Sequence, residues 1–204
     1  SNPLDSPDCC ILNIRGGEYK KYSDFILPKE YWVNSMNLMK SVHGITDFYI
    51  VTDDPDYASA LFPGLSIISG SISECFAAIY HANYVISSNS SFSYFPISLS
   101  IARKKLIIGP MFWARHNVTS SYWSSPANCY KGWHWMDRSG NLHTYADCIR
   151  FAQSTEHYYL RSLNLSVSST YSFYRRKFPI SIFLPSWTKS VLIHSLRRFF
   201  PLFF

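Results

Sequence analysis

The chain has 204 residues, of which 47% are hydrophobic, 18% aromatic and 16% charged. That balance excludes a disordered chain and indicates a folded domain with room for an appendage. The formal net charge of +6 sits at the back: no acidic residue follows Glu156, whereas Arg161, Arg175, Arg176, Lys177, Lys189, Arg197 and Arg198 do.

Residues 1–8 carry Pro3 and Pro7 and read as a linker or a cut end. Cys10, Ile11, Leu12 and Ile14 form a short apolar run that predicts a strand covered on both faces. It stops at Arg15-Gly-Gly-Glu18. Gly16 and Gly17 allow a tight turn or the close approach of a ligand. Pro28 starts a helix that runs through Trp32, Met36 and Met39 to about His43, closed by Gly44. Residues 47–52 predict a second buried strand, ended by Asp53-Asp54-Pro55. A short helix over 56–62 stops at Pro63-Gly64, and 65–68 is a third strand. Ser71 or Ser73 caps a helix with Glu74 in its first turn. Residues 83–87 form a fourth strand, 91–102 a helix and 105–108 a fifth strand, ended by Gly109-Pro110.

Strands alternating with helices at this spacing predict an α/β fold: a Rossmann-like parallel sheet with flanking helices and right-handed crossovers over residues 9–110. The α/β domain is expected to occupy 9–115. An irregular, aromatic-rich extension is expected over 116–156, with a hairpin turn at Arg138-Ser-Gly-Asn141 and a helix near 144–152. Residues 157–204 read as a basic, aromatic tail. Around Trp187, Leu192 and Leu196 its spacing suits a short interfacial helix, with Lys189, Arg197 and Arg198 for lipid headgroups. A solvated tail, a core helix or a partner-facing edge is the plainer reading, and nucleic acid is the less favoured partner.

Five cysteines (Cys9, Cys10, Cys75, Cys129, Cys148) are an odd number without metal spacing. Packing explains them better than a disulfide framework, which points to a reducing compartment. The sequence shows no signal peptide, no apolar run of about 18 residues and no initiator Met. It is therefore expected to be a processed product or the back of something longer.

Three segments fall at strand ends on one edge of the expected sheet. They are Arg15 to Tyr19, Thr52-Asp53-Asp54, and Ser87-Ser-Asn-Ser-Ser-Phe-Ser93. In open α/β sheets ligands bind outside the carboxyl ends of the strands. A hydroxyl-rich helix start presents N–H groups and the positive end of a dipole, suited to phosphate. Arg15 adds a charge-assisted fork. Taken singly, an arginine at a strand end is usually a surface ion pair, and serine caps are common.

Arg15-Gly-Gly-Glu-Tyr19 with Ile50-Val-Thr-Asp-Asp-Pro55, then Ile86-Ser-Ser-Asn-Ser-Ser-Phe-Ser93 and Lys105-Leu-Ile-Ile-Gly-Pro110, resembles the α-1,2-fucosyltransferases and their inverting fucosyltransferase relatives. The resemblance spans roughly residues 10–115. It implies the C-terminal, donor-binding half of a GT-B fold, GDP-fucose as donor, a glycan acceptor, inversion at the anomeric carbon and no essential metal or other cofactor. It implies that Arg15 grips the donor diphosphate. Ser90, Ser91, Phe92 and Ser93, with Asn89, would line the phosphate site, and Asp53 and Asp54 match a carboxylate pair near the donor in some relatives. Gly16 and Gly17 complete the loop. Asn13 stands where the family usually carries His, on the guanine side. Gly16 stands where a second arginine often follows, Glu18 replaces Asp, and Tyr94-Phe95 replaces an aromatic pair that is often Trp-Trp. Glu18 is a base or a local hydrogen-bond partner. The family also carries an N-terminal acceptor half, and only eight residues precede the first strand here.

Two other readings stay open. Asp54-Pro-Asp56 fits the Asp-x-Asp metal signature of GT-A glycosyltransferases, although the same tripeptide is a good helix start. The chain also fits a non-catalytic nucleotide-sugar-binding or partner-docking module. A cytoplasmic location, peripheral on the membrane, suits a bacterial chain, and the Golgi lumen a eukaryotic one. Asn89, Asn117 and Asn164 sit in glycosylation sequons.

Overall fold

The computed structural model describes residues 8–101, 104, 106–112, 114–115, 122–123 and 129–162. Strand β1 (Cys9–Ile14) is followed by two short 3-10 turns, Gly17–Lys21 and Ser23–Phe25, and by helix α1 (Lys29–His43). Then come β2 (Asp47–Thr52), α2 (Pro55–Leu61), β3 (Ser66–Ile68), α3 (Ile72–His81), β4 (Tyr84–Ser87), α4 (Ser91–Leu99) and β5 (Leu106–Pro110). A small antiparallel pair, β6 (Ala114–Arg115) and β7 (Tyr122–Trp123), precedes β8 (His134–Met136), β9 (Leu142–His143) and α5 (Tyr145–Ser162).

The helix boundaries follow from local chemistry. Pro28 is the N-cap of α1, and Gly44 ends it in the left-handed region at φ 68°, its N–H bonding Lys40 O at 3.0 Å. Asp54 caps α2 with Pro55 at the first turn. Ser71, rather than Ser73, caps α3 in a reciprocal box with Glu74. The carboxylate of Glu74 is held below its usual pKa by that Ser71 hydroxyl and amide. Helix α4 ends at Leu99, three residues before the expected limit, and Ser100 Oγ donates to Pro96 O at 2.6 Å.

The main sheet has seven strands in the order β3-β2-β1-β4-β5-β8-β9, all parallel except the edge strand β9. Leu12 pairs with Ile50 on one side and Ile86 on the other. Alternation along β1 sends Cys10, Leu12 and Ile14 into the core shared with Trp32 and Met36 of α1 and Ala58 of α2. Ile11 joins the opposite core with Ile79 of α3, Ile97 of α4 and Cys148 of α5. Both faces are covered, as a parallel sheet requires, and each fully buried Leu or Ile contributes about 1.5–3 kcal/mol. All five cysteines are buried free thiols, in line with packing.

The parallel pattern does not stop at Pro110. β8 lies beside β5, Ile108 pairing with His134, so residues expected in an irregular extension belong to the main sheet. Three residues are too few to register as a strand against the surrounding turn composition. The hairpin at 137–141 and the helix that follows are present. The helix runs Tyr145–Ser162, longer than its apolar spacing indicated. No helix of the described residues is long and apolar enough to cross a membrane. The expected tail helix near Trp187 and the sequons at Asn117 and Asn164 lie outside the described residues.

Candidate functional site

The order of the sheet defines where a ligand fits. From β1 the chain moves outward through β2 and β3, then returns to β4 on the other side of β1 and moves away through β5 and β8. β1 and β4 therefore flank the topological switch point, and the crevice outside their carboxyl ends is the usual ligand position in such sheets. Arg15 follows β1, and Ser88-Asn-Ser90 follows β4 into the mouth of α4.

Arg15 is half-buried, and its Nη1 lies 3.0 Å from Asp53 Oδ2. Asp53 Oδ1 accepts the Gly16 N–H at 2.9 Å. The next carboxylate repeats the arrangement: Asp54 pairs with Lys20 and accepts the Tyr57 N–H at 3.1 Å as the cap of α2. Lys20 first, and the Tyr57 amide second, hold the Asp54 carboxyl below its ordinary pKa; the same pair raises that of Lys20. The two glycines are needed for this contact. A Cβ on Gly16 would lie 2.7 Å from Asp54 Cβ, and one on Gly17, at φ 28°, would lie 2.2 Å from Asp53 Oδ2. The close approach allowed by glycine is thus to the Asp53-Asp54 turn. Asp53 and Asp54 anchor the arginine loop, and Glu18 is exposed on its 3-10 turn.

The serine segment is largely satisfied within itself. Ser88 N–H donates to Asn13 O at 3.1 Å, and Ser88 Oγ donates to Asn13 Oδ1 at 3.1 Å. Asn13 is accordingly buried between β1 and β4, holding the loop that leads into α4. Ser87 Oγ and Ser93 Oγ lie 2.6 Å apart, and Ser93 Oγ also donates to Ser90 O at 2.9 Å. Ser90 caps α4 by accepting the Phe92 N–H at 3.2 Å, and Phe92 is partly buried against the α4 side of the core. Ser91 alone of the four residues 90–93 is exposed. The Ser90 cap takes the Phe92 N–H, and the mouth of α4 offers an anion the Ser91 hydroxyl and the other first-turn N–H groups.

Tyr19 joins the two halves. The Arg15 guanidinium carbon sits 5.5 Å from the Tyr19 ring centroid, and the Tyr19 hydroxyl donates to Asn89 O at 3.1 Å. Burial raises the Tyr19 pKa, against the opposing pull of Arg15, so the phenol stays a donor. The Asn89 side chain donates to Phe25 O at 3.0 Å, and Arg138 Nη2 donates to Ile26 O at 3.0 Å. Tyr19 lay within the arginine motif, but its bridging role spans 70 positions and has no sequence signature. Arg138 was legible only as part of a hairpin turn.

Among the described residues no group of three His, Cys, Asp or Glu side chains is arranged to hold a metal ion. Asp54 of the Asp-Pro-Asp turn is committed to Lys20 and the α2 cap, and Asp56 is exposed. No family model, no curated protein and no solved structure matches this chain.

Proposed function

We propose that the chain is the donor-binding domain of an inverting, fucosyltransferase-like glycosyltransferase of GT-B architecture. In this reading GDP-fucose lies across the β1/β4 switch point. The observation that supports it is the Arg15–Tyr19–Asn89 chain of contacts, which links the arginine after β1 to the loop that leads from β4 into α4, on the rim where α/β sheets bind phosphates. An acceptor hydroxyl attacks the anomeric carbon as the C1–O bond to the diphosphate breaks. Arg15 and the first-turn N–H groups of α4 stabilise the charge that grows on the leaving group. The glycan acceptor is then supplied by a further domain or partner.

Titrating GDP, UDP and pyrophosphate into the 204-residue chain tests the reading. GDP is expected to raise the melting temperature, and GDP-fucose to be turned over. Arg15→Ala should lower turnover by about 10²–10³, the usual loss for one such stabiliser. Wild-type turnover in that variant would rule out the assigned role of Arg15.

A second reading, a nucleotide-sugar-binding module without turnover, is favoured by one observation: Arg15 is already ion-paired with Asp53. GDP binding with no transfer or hydrolysis would select it.

A further inference from the structure

The segment from Gly17 to Leu27 crosses the rim on which this site lies. It leaves β1, passes Asn89 at the end of β4 and reaches Arg138 beyond β8. With strands about 4.8 Å apart, β1 to β8 is a span of about 14 Å. The segment therefore lies over the crevice outside the strand ends, its second 3-10 turn resting against β6.

Its attachment differs from that of the elements around it. Neither 3-10 turn contains a buried residue; Leu27, at the hinge end, is the one buried side chain of the segment and packs in the main core. Their backbone hydrogen bonds close within the segment: Lys20 N–H to Gly16 O, Tyr22 N–H to Tyr19 O, Phe25 N–H to Tyr22 O. Side-chain groups tie it to the rim, through Tyr19 to Asn89 O, Asn89 to Phe25 O and Arg138 to Ile26 O, and the Lys20–Asp54 ion pair holds its first turn near the hinge. A segment with little buried apolar surface, fixed by a few hydrogen bonds, opens at a small fraction of the global unfolding free energy. Gly16-Gly17 at one end and Pro28 at the other are the positions that absorb the backbone change.

We infer that residues 17–27 are a hinged strap over the β1/β4 crevice, and that Asn89 and Arg138 are positioning residues that latch it. The strap flanks an anion seated at the mouth of α4, and its lifting widens the way in. This rests on the functional reading above only for the identity of the ligand.

Amide hydrogen exchange on the full chain tests it, with the β1 and β4 amides as an internal control for folding. In Arg138→Met, and separately in Tyr19→Phe, amides 17–27 should exchange on the order of tenfold faster while β1 and β4 are unchanged. Pyrophosphate added to the wild type should slow the same amides. Acceleration in either variant with no pyrophosphate effect upholds the latch and counts against the anion site. If 17–27 exchanges as slowly as β4 in the wild type and neither variant that retains β4 protection accelerates it, the strap is a fixed part of the fold and the inference fails. Should Arg138→Met lose β4 protection, Tyr19→Phe decides.

Discussion

Asp53 holds Arg15 and the amide of the residue after it at once: Oδ2 is 3.0 Å from Arg15 Nη1, and Oδ1 accepts the Gly16 N–H at 2.9 Å. The guanidinium proposed to grip a diphosphate is thus held by a carboxylate that would compete with the diphosphate for it. Asp53→Asn separates the two jobs, because the amide oxygen still accepts from Gly16 while the charge is gone. A partly exposed ion pair is worth about 0.2–1 kcal/mol, so pyrophosphate or GDP affinity should rise by up to about fivefold. Calorimetric titration reads this directly. Weaker binding in Asp53→Asn would mean that Asp53 orients Arg15 toward the ligand instead of competing with it.

The loop's seating on the Asp53-Asp54 turn predicts which glycine matters. Gly16→Ala puts a methyl 2.7 Å from Asp54 Cβ and 2.9 Å from Tyr57 Cδ1, where the α2 cap leaves little room to shift. Overpacking of this kind costs about 1–3 kcal/mol. Gly132→Ala meets nothing within 4 Å and should cost only its left-handed backbone strain, about 1 kcal/mol. Urea midpoints of the two variants give the ranking, and Gly132→Ala proving the more harmful would refute it.

The α/β class, the strand ends and the helix caps were readable because each is a local property. Apolar runs of the right length, a proline or serine before a helix and a glycine after it specify their own positions. Strand β8 was not readable: Trp133 and Trp135 are buried in a core built by α3, α4 and α5, and only that packing makes three residues a strand. At the site, the sequence placed Arg15 and Ser90–Ser93 near strand ends. It did not reveal that Asp53, Asp54 and Asn13 have internal partners. A carboxylate in a motif looks the same whether it faces a ligand or an adjoining loop, and the partner at Gly16 is 37 positions away.

The Lys20–Asp54 pair gives stability a defined pH dependence. Asp54 is held below its unfolded pKa, so its contribution is present above that value, about 3.9, and is lost as pH falls through the folded value. Lys20 is raised above its unfolded pKa, so its contribution is complete below about 10.4 and is lost as pH rises through the folded value. Lys20→Met should therefore differ from the wild type by a constant amount between about pH 5 and 9. The gap should narrow below about pH 4 and above about pH 10.5. Chemical denaturation across that range checks it, and a gap that does not change with pH would assign the effect to packing of the lysine stem.

The serine segment divides into hydroxyls that hold the loop and a hydroxyl that faces outward. Ser93 is fully buried, 2.6 Å from Ser87 Oγ and 2.9 Å from Ser90 O. Ser93→Ala leaves those partners short of a bond in a dry site and should cost about 1–3 kcal/mol of stability. The residual folded protein should bind GDP as before, because no ligand reaches that oxygen. Ser91 is exposed at the first position of α4, so Ser91→Ala should leave stability within about 0.5 kcal/mol. If a phosphate sits at the mouth of α4, GDP affinity should fall in that variant by about tenfold or more, the loss of one hydrogen bond to a charged acceptor. Melting curves and GDP titrations of the two variants form a crossed test: stability moves in one and affinity in the other. Unchanged affinity in Ser91→Ala, with GDP still bound by the wild type, would place the phosphates away from the α4 mouth.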